Sequence, residues 1–512
     1  MIKYILLLVF FAVMLGVGFY CRKTATDVNG FVLGGRSVGP WVTAFAYGTS
    51  YFSAVIFVGY AGQFGWKFGL ASTWIGLGNA FLGSLLAWAV LGRRTRVMTQ
   101  HLKSATMPDF FEKRFDSKAL KIVAAVITFI FLVPYTASLY NGLSRLFGLA
   151  FNIDYSVCVI VMAVLTCIYV VVGGYMATAI NDFIQGLIML FGIVAVVVAV
   201  LNGNGGFYEA INSLSQVSEE GIKMQGAFTS FFGPDALGLL FVVLLTSLGT
   251  WGLPQMVGKF YAIKDEKAVK TGTIVSTVFA IIVAGGCYFL GGFGRLYTPD
   301  YSSEGKIIYD SIIPKMVEGL PEILIGIVIV LVLSASMSTL SSLVLTSGST
   351  LTLDFIEPLK KKGLTEKQKL LSIRTLIAFF VIISAAIAIV QAKSSVTFIA
   401  QLMGVSWGAL AGAFLAPFLY GLYLKRTTKA AVWVSFITGC GIMILNLLCP
   451  SVFPAFFQSP INAGVLAMVV GLVLVPIVSY ITPKPKNNVD EIFTCYDRKI
   501  TVRASRALGD DE

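Results

Sequence analysis

Residues 44–54 read Ala44-Phe45-Ala46-Tyr47-Gly48-Thr49-Ser50-Tyr51-Phe52-Ser53-Ala54. They lie inside an apolar run, 41–65, yet place a Gly-Thr step and several hydroxyls near its middle. A second such stretch is Thr246-Ser247-Leu248-Gly249-Thr250-Trp251-Gly252-Leu253-Pro254-Gln255, inside run 236–257. Glycine weakens a helix and proline removes a backbone donor, so both segments are expected to unwind locally. Either alone also reads as the Gly and Thr common in membrane helices. As a pair they read as interrupted helices at corresponding positions of two halves, which marks a binding site near the bilayer midplane. They lie five apolar runs apart, and five crossings reverse the chain's direction. The two halves are therefore expected to be inverted repeats.

Apolar runs of membrane-spanning length recur along all 512 residues. About thirteen are seen: 2–20, 41–65, 69–92, 122–147, 155–174, 180–201, 236–257, 272–294, 321–349, 374–391, 396–423, 430–449 and 461–481. They lack the alternation of a barrel strand, so they read as helices. The predicted fold is an all-α membrane protein. Residues 1–40 form a first helix and loop, 41–201 the first five-helix repeat and 202–235 an external loop. Residues 236–423 form the second repeat, 424–482 two further helices and 483–512 a polar tail. Loop 93–121 is expected to carry short interfacial helices. The first run is too long for a simple signal-peptide core and has no small-residue cleavage site, so it is expected to be retained.

Composition agrees. The chain is 57% hydrophobic and 12% charged, with a mean hydropathy of +0.84, where a soluble domain averages about 25% charged. Soluble enzymes, disulfide scaffolds and disordered proteins fit poorly. The single histidine, His101, leaves little material for imidazole chemistry, and no Walker A motif points to ATP. The seven cysteines are scattered without a CxxC pair. The net charge of +12 reads as topology rather than nucleic-acid binding. With the N-terminus outside and the C-terminus cytoplasmic, most of the 38 lysines and arginines fall in cytoplasmic segments, including 93–121, 258–271 and 350–373.

Polar groups within the runs are the candidate site. The ninth run carries Ser334-Ala335-Ser336-Met337-Ser338-Thr339-Leu340-Ser341-Ser342, with Ser338 and Ser342 on one face. Neutral hydroxyls and carbonyls suit Na⁺ rather than a transition metal. The alternative is small-residue packing, each hydroxyl bonding back to its own helix. Asp182 sits near the start of the sixth run, either on an ion path or as an exposed helix cap.

Four stretches, in this order, resemble the sodium:solute symporter family. They are Leu33-Gly34-Gly35-Arg36-Ser37-Val38-Gly39-Pro40, Tyr169-Val170-Val171-Val172-Gly173-Gly174-Tyr175-Met176-Ala177, the Asp182-x-x-Gln185 pair, and Ser336-Met337-Ser338-Thr339-Leu340-Ser341. The resemblance implies a LeuT-type 5+5 inverted-repeat core. It implies one Na⁺ between the second and ninth runs, held by carbonyls of Thr49, Phe52 and Ala335 and hydroxyls of Ser338 and Thr339. Asp182, with Ser342, would lie at a second Na⁺ site or on the ion exit. Tyr135 and Pro254 match the family's proline-transporter branch, whereas Tyr51, Val55 and Thr246 stand where that branch has Asp, Trp and Trp. The expected solute pocket is Tyr51, Ser53, Tyr135, Trp251 and Trp407.

The expectation is a plasma-membrane, multi-pass symporter, not an enzyme. It would import a small polar organic solute with Na⁺ by alternating access, bind no nucleic acid, and be sufficient as a monomer. The solute would be an amino acid such as proline or a related carboxylate. A sugar, sialic acid, monocarboxylate or vitamin are alternatives, and a transporter-like nutrient sensor is a different class.

Overall fold

The computed structural model describes residues 2–151, 153–218, 225–302, 304–392, 399–485 and 489–497. Ten of its helices are long and apolar enough to cross a membrane, or eleven if a bent pair is counted as one. The thirteen expected runs are more numerous because two of these ten helices each cover two runs. Val55–His101 has 47 residues and Tyr155–Gly203 has 49. A straight helix of that length would measure about 70 Å, more than twice the hydrocarbon thickness. Each therefore turns at a glycine. Gly69 has φ 62 and ψ −141, and Gly174 has φ 57 and ψ −151. That region excludes side chains. A Cβ would also stand 2.1 Å from the Phe228 carbonyl oxygen at Gly69 and 2.8 Å from that of Phe31 at Gly174.

Both segments expected to unwind are broken. Helix Pro40–Tyr51 stops at Phe52, whose backbone is extended at φ −89, ψ 123, and the chain re-enters a helical path at Ala54. Helix Ala236–Leu248 tightens through Gly249–Gly252 and stops at Leu253, at φ −87, ψ 119; Pro254 then opens helix Pro254–Tyr261. The bend there is 49°. The two breaks thus share nearly the same backbone conformation. In the first, the break falls three or four residues beyond the Gly-Thr step, because Gly48 remains within the helix as an acceptor for the Phe52 amide.

Helix Glu322–Thr350 lies at the centre, buried on all sides from Leu331 to Leu345. It packs on Tyr155–Gly203, Lys118–Phe151 and Pro40–Tyr51. Helix Ile2–Cys21 flanks Tyr155–Gly203, while Lys429–Leu448 and Pro460–Ile481 pack on Ile399–Tyr423. The 93–121 segment carries two short helices, Arg93–His101 and Met107–Phe115. The basic residues Arg93, Arg94, Arg96 and Lys103 gather at this end, called here the basic end.

Two segments expected to be loop are helical. The seventh run continues to Tyr261, so Lys259 is not a loop lysine but a buried one, 3% exposed. The ninth continues through a wide turn, Leu351–Ile356, to Leu359. A charge count that treats every lysine as solvent-facing misplaces Lys259, because its charge is matched inside the protein.

Candidate functional site

The ninth-run hydroxyls divide into two kinds. Ser336 donates to the Val332 carbonyl at 2.7 Å and Ser341 to that of Ser338 at 2.9 Å, the back-bonding of ordinary packing. Ser338 and Thr339 bond back to Ala335 in the same way but also reach across to the end of helix Pro40–Tyr51. Ser338 Oγ lies 3.1 Å from the carbonyls of both Thr49 and Ala335. Thr339 Oγ1 lies 3.1 Å from Ala335 O, 3.3 Å from Phe52 O, and 3.4 Å from Thr49 O and Ser50 O. The Thr49, Ser50 and Phe52 carbonyls are available because the last carbonyls of a helix have no amide ahead of them. All five residues expected to hold Na⁺ therefore meet, and Ser50 joins them.

A hydroxyl carries one proton. Two hydroxyl protons thus face four carbonyl oxygens within one small, fully buried volume. The separations exceed the 2.7–2.8 Å common for O–H···O bonds, which are about 2.7–2.8 Å at their mode. Such a surplus of hard, neutral oxygen lone pairs could hold a hard cation. Among the described residues no group of three or more His, Cys, Asp or Glu side chains gathers to hold a metal.

One helical turn further along lies a charged cluster. Asp182 is fully buried within Tyr155–Gly203, past the Gly174 turn, and is not an exposed cap. Its Oδ2 is 3.3 Å from Lys259 Nζ, which donates to Ser342 Oγ at 3.0 Å. Ser342 in turn bonds Ser50 Oγ at 2.8 Å. Tyr175 presents its ring to the ammonium at 5.3 Å. Asn181 and Gln185 turn the other way, donating to the Met14 carbonyl and thioether of the first helix. A narrow crevice lined by Leu33, Ala105, Tyr175, Gln255, Lys259 and Ser342 leads in from the basic end. Sequence reasoning missed Lys259; the available signal was Pro254, which starts a helix as well as ending one.

The aromatic candidates separate. The Tyr135 ring meets Trp407 edge-on at 5.8 Å, and its hydroxyl faces Ser53 and the Trp407 indole. Neither Ser53 Oγ nor the Tyr135 hydroxyl has a well-formed hydrogen bond among the described residues. Both are therefore polar tips in an apolar wall beside the first break. Trp251 is aimed at the third run, its Nε1 donating to the Leu82 carbonyl at 3.1 Å. Thr246 is taken up by Asn79 at 3.0 Å. The side chain of Tyr51 lies outside the described residues.

Comparison with known proteins gives the same picture. The chain is 29% identical over 486 residues to the osmoregulated proline transporter OpuE of Bacillus subtilis, covering 93% of this chain and 94% of that one. It is 29% identical over 494 residues to a sodium/proline symporter of Staphylococcus aureus, covering 94% and 92%. Among solved structures, a substrate-bound, outward-open Na⁺-coupled sialic acid symporter superposes with a TM-score of 0.73 at 18% identity, over 95% of this chain and 99% of that one. The inward-facing conformation of Mhp1 gives 0.53 at 14%, over 91% and 96%. These likenesses show a shared fold, the LeuT-type core expected from the sequence, in a multi-pass membrane protein. The sodium:solute symporter family description matches residues 31–439, and the chain belongs to that family.

Proposed function

We propose that the protein is a secondary transporter that couples Na⁺ entry to uptake of a small polar organic solute, an amino acid such as proline being the first candidate. One observation carries this reading: four carbonyl oxygens and two hydroxyls, with only two hydroxyl protons among them, converge where the first interrupted helix meets the ninth run. Na⁺ would be cargo at that point, bound through Thr49, Phe52, Ala335, Ser338 and Thr339. Binding there would tie the break at Phe52 to helix Glu322–Thr350 and so favour one arrangement of the two repeats. The solute would lie against Ser53, Tyr135 and Trp407, next to the same break, and one segment would then sense both ligands. Tyr51 and Trp251 remain candidates for the rest of the pocket. The proline names of the two relatives support the first choice of solute.

In this reading the basic end is cytoplasmic, the N-terminus is outside and the C-terminus inside, as the positive-inside rule requires. The crevice to Lys259 and Ser342 is then the ion's exit. Each Na⁺ carried inward across 100 mV releases about 2.3 kcal/mol. The test is uptake of radiolabelled proline into proteoliposomes with an inward Na⁺ gradient, against choline, beside a panel of monocarboxylates, sugars and sialic acids. Accumulation of proline only with Na⁺ is expected. Accumulation of another solute would replace proline and keep the class. Na⁺-independent behaviour across the panel would overturn the reading.

A further inference from the structure

Asp182 and Ser342 were expected to form a second place for Na⁺ or to lie on the ion exit, and the structure puts another cation between them. Lys259 Nζ is 3.3 Å from Asp182 Oδ2 and 3.0 Å from Ser342 Oγ, so an ion at the position of that nitrogen would touch both oxygens. The lysine is 3% exposed and the aspartate 0%. Such depth is costly for either charge alone. Asp182 Oδ1 and both side-chain polar atoms of Gln255, which lines the same crevice, have no hydrogen-bond partner among the described residues. Asp182 Oδ1 and Gln255 Oε1 are thus acceptors that the ammonium does not use, and Gln255 Nε2 is an unmatched donor.

We propose that Lys259 is a tethered cation that occupies this position permanently, so that the chain binds one Na⁺, at the Thr49–Ser338 cluster, and no second. The inference rests on the Na⁺-symport reading for what the first site holds. Three features favour a resident ammonium over a Na⁺ ligand set. The carboxylate supplies the single negative charge that one cation neutralises, leaving none for a second. Ser342 accepts a hydrogen bond from the lysine ammonium on one side and bonds Ser50 on the other, so its oxygen is already engaged. The Tyr175 ring faces the ammonium, a partner that an ammonium accepts readily. The tether has a consequence for coupling. Lys259 sits on the helix that follows the second break and Ser50 on the helix that precedes the first. The chain Asp182–Lys259–Ser342–Ser50 therefore links the two interrupted helices one turn from the Na⁺ cluster. Ser50 also places its carbonyl 3.4 Å from Thr339 in that cluster.

The experiment is equilibrium ²²Na⁺ binding to the purified full-length protein without solute, counted per chain at saturation, on variants that remain monodisperse. Wild type should bind one Na⁺. Lys259→Gln should bind two, a doubling, because the unpaired Asp182 then recruits an ion. Lys259→Gln with Asp182→Asn should return to one, and Lys259→Arg should stay at one. Two ions on the wild type, or the same number on Lys259→Gln as on the wild type, overturns the inference while leaving Na⁺ symport intact. None on the wild type with one on Lys259→Gln overturns the Thr49–Ser338 assignment and keeps the tethered cation. If Lys259→Gln does not fold, Lys259→Met takes its place: one ion more than the wild type supports the inference and the same number overturns it.

Discussion

Two polar clusters lie one helical turn apart on helix Glu322–Thr350, and they solve burial in opposite ways. At Ser338 and Thr339 the groups are neutral, the oxygens outnumber the protons, and helix Pro40–Tyr51 supplies carbonyls only because it stops at Phe52. At Ser342 the groups are charged, and lysine and aspartate satisfy each other. In the proposed reading the first arrangement takes up a cation and releases it. The second already holds its balancing cation, with Asp182 Oδ1 left without a hydrogen-bond partner among the described residues. In the reading proposed above, a site that loads and unloads in each cycle is built from weak, neutral ligands, while the neighbouring charge pair stays in place.

The largest expected effect breaks the charged cluster. Asp182→Asn leaves a buried ammonium without its counter-charge, and losing one partner of such a pair costs about 3–5 kcal/mol. The denaturation midpoint in detergent should fall steeply for Asp182→Asn and much less for Asp182→Asn with Lys259→Met. Equal losses in the two would show that the pair is not the source of stability.

The neutral cluster should respond in ion affinity instead. Removing the Ser338 or Thr339 hydroxyl deprives a dry site of a ligand, about 1–3 kcal/mol, or roughly five- to 150-fold in the Na⁺ concentration for half-maximal uptake. Ser336→Ala and Ser341→Ala, whose hydroxyls bond back to their own helix, should leave Na⁺ activation almost unchanged. If all four variants behave alike, the division of these hydroxyls into two kinds is wrong.

A smaller effect belongs to the aromatic wall. Tyr135→Phe keeps the ring against Trp407 and removes the tip facing Ser53. Solute affinity should drop by up to about tenfold, the value of one hydrogen bond. Na⁺ binding without solute should not move; a parallel loss of Na⁺ affinity would mean that the tyrosine supports the ion cluster.

The smallest is a control on the charged cluster, at the basic end. Asp109 is also a buried carboxylate with lysine partners, Lys121 at 2.8 Å and Lys113 at 2.9 Å, but Lys113 is one-third exposed. Burial pushes its pKa up, and the two lysines outweigh that and hold it below the usual carboxylate range. A depressed folded value stabilises the protein above the unfolded pKa and is lost as pH falls through the folded one. Asp109→Asn should therefore cost stability at neutral pH and flatten the loss of stability in acid. The neutral-pH cost should be less than that of Asp182→Asn, because water reaches its partner. An acid profile identical to wild type would remove Asp109 from the account.

Hydropathy, the two Gly-Thr segments and their spacing carried the helical class and the expectation of inverted repeats, because run length and helix-breaking chemistry are local properties, whereas the carbonyls and hydroxyls expected to hold Na⁺ were implied by the resemblance to the family's motifs. The glycine turns at Gly69 and Gly174 were present in the sequence, and Gly174 belonged to a motif already singled out. Tertiary structure alone decided three matters. Thr246 and Trp251 point to the third run, through Asn79 and Leu82, which no spacing within one helix reveals. Ser338 and Thr339 stand apart from Ser336 and Ser341 because they also face a second helix. Lys259 became a core residue because Asp182, 77 positions away, meets it there. A lysine in sequence carries its charge but not its partner, and in a membrane protein the partner determines whether that charge marks a loop or a site.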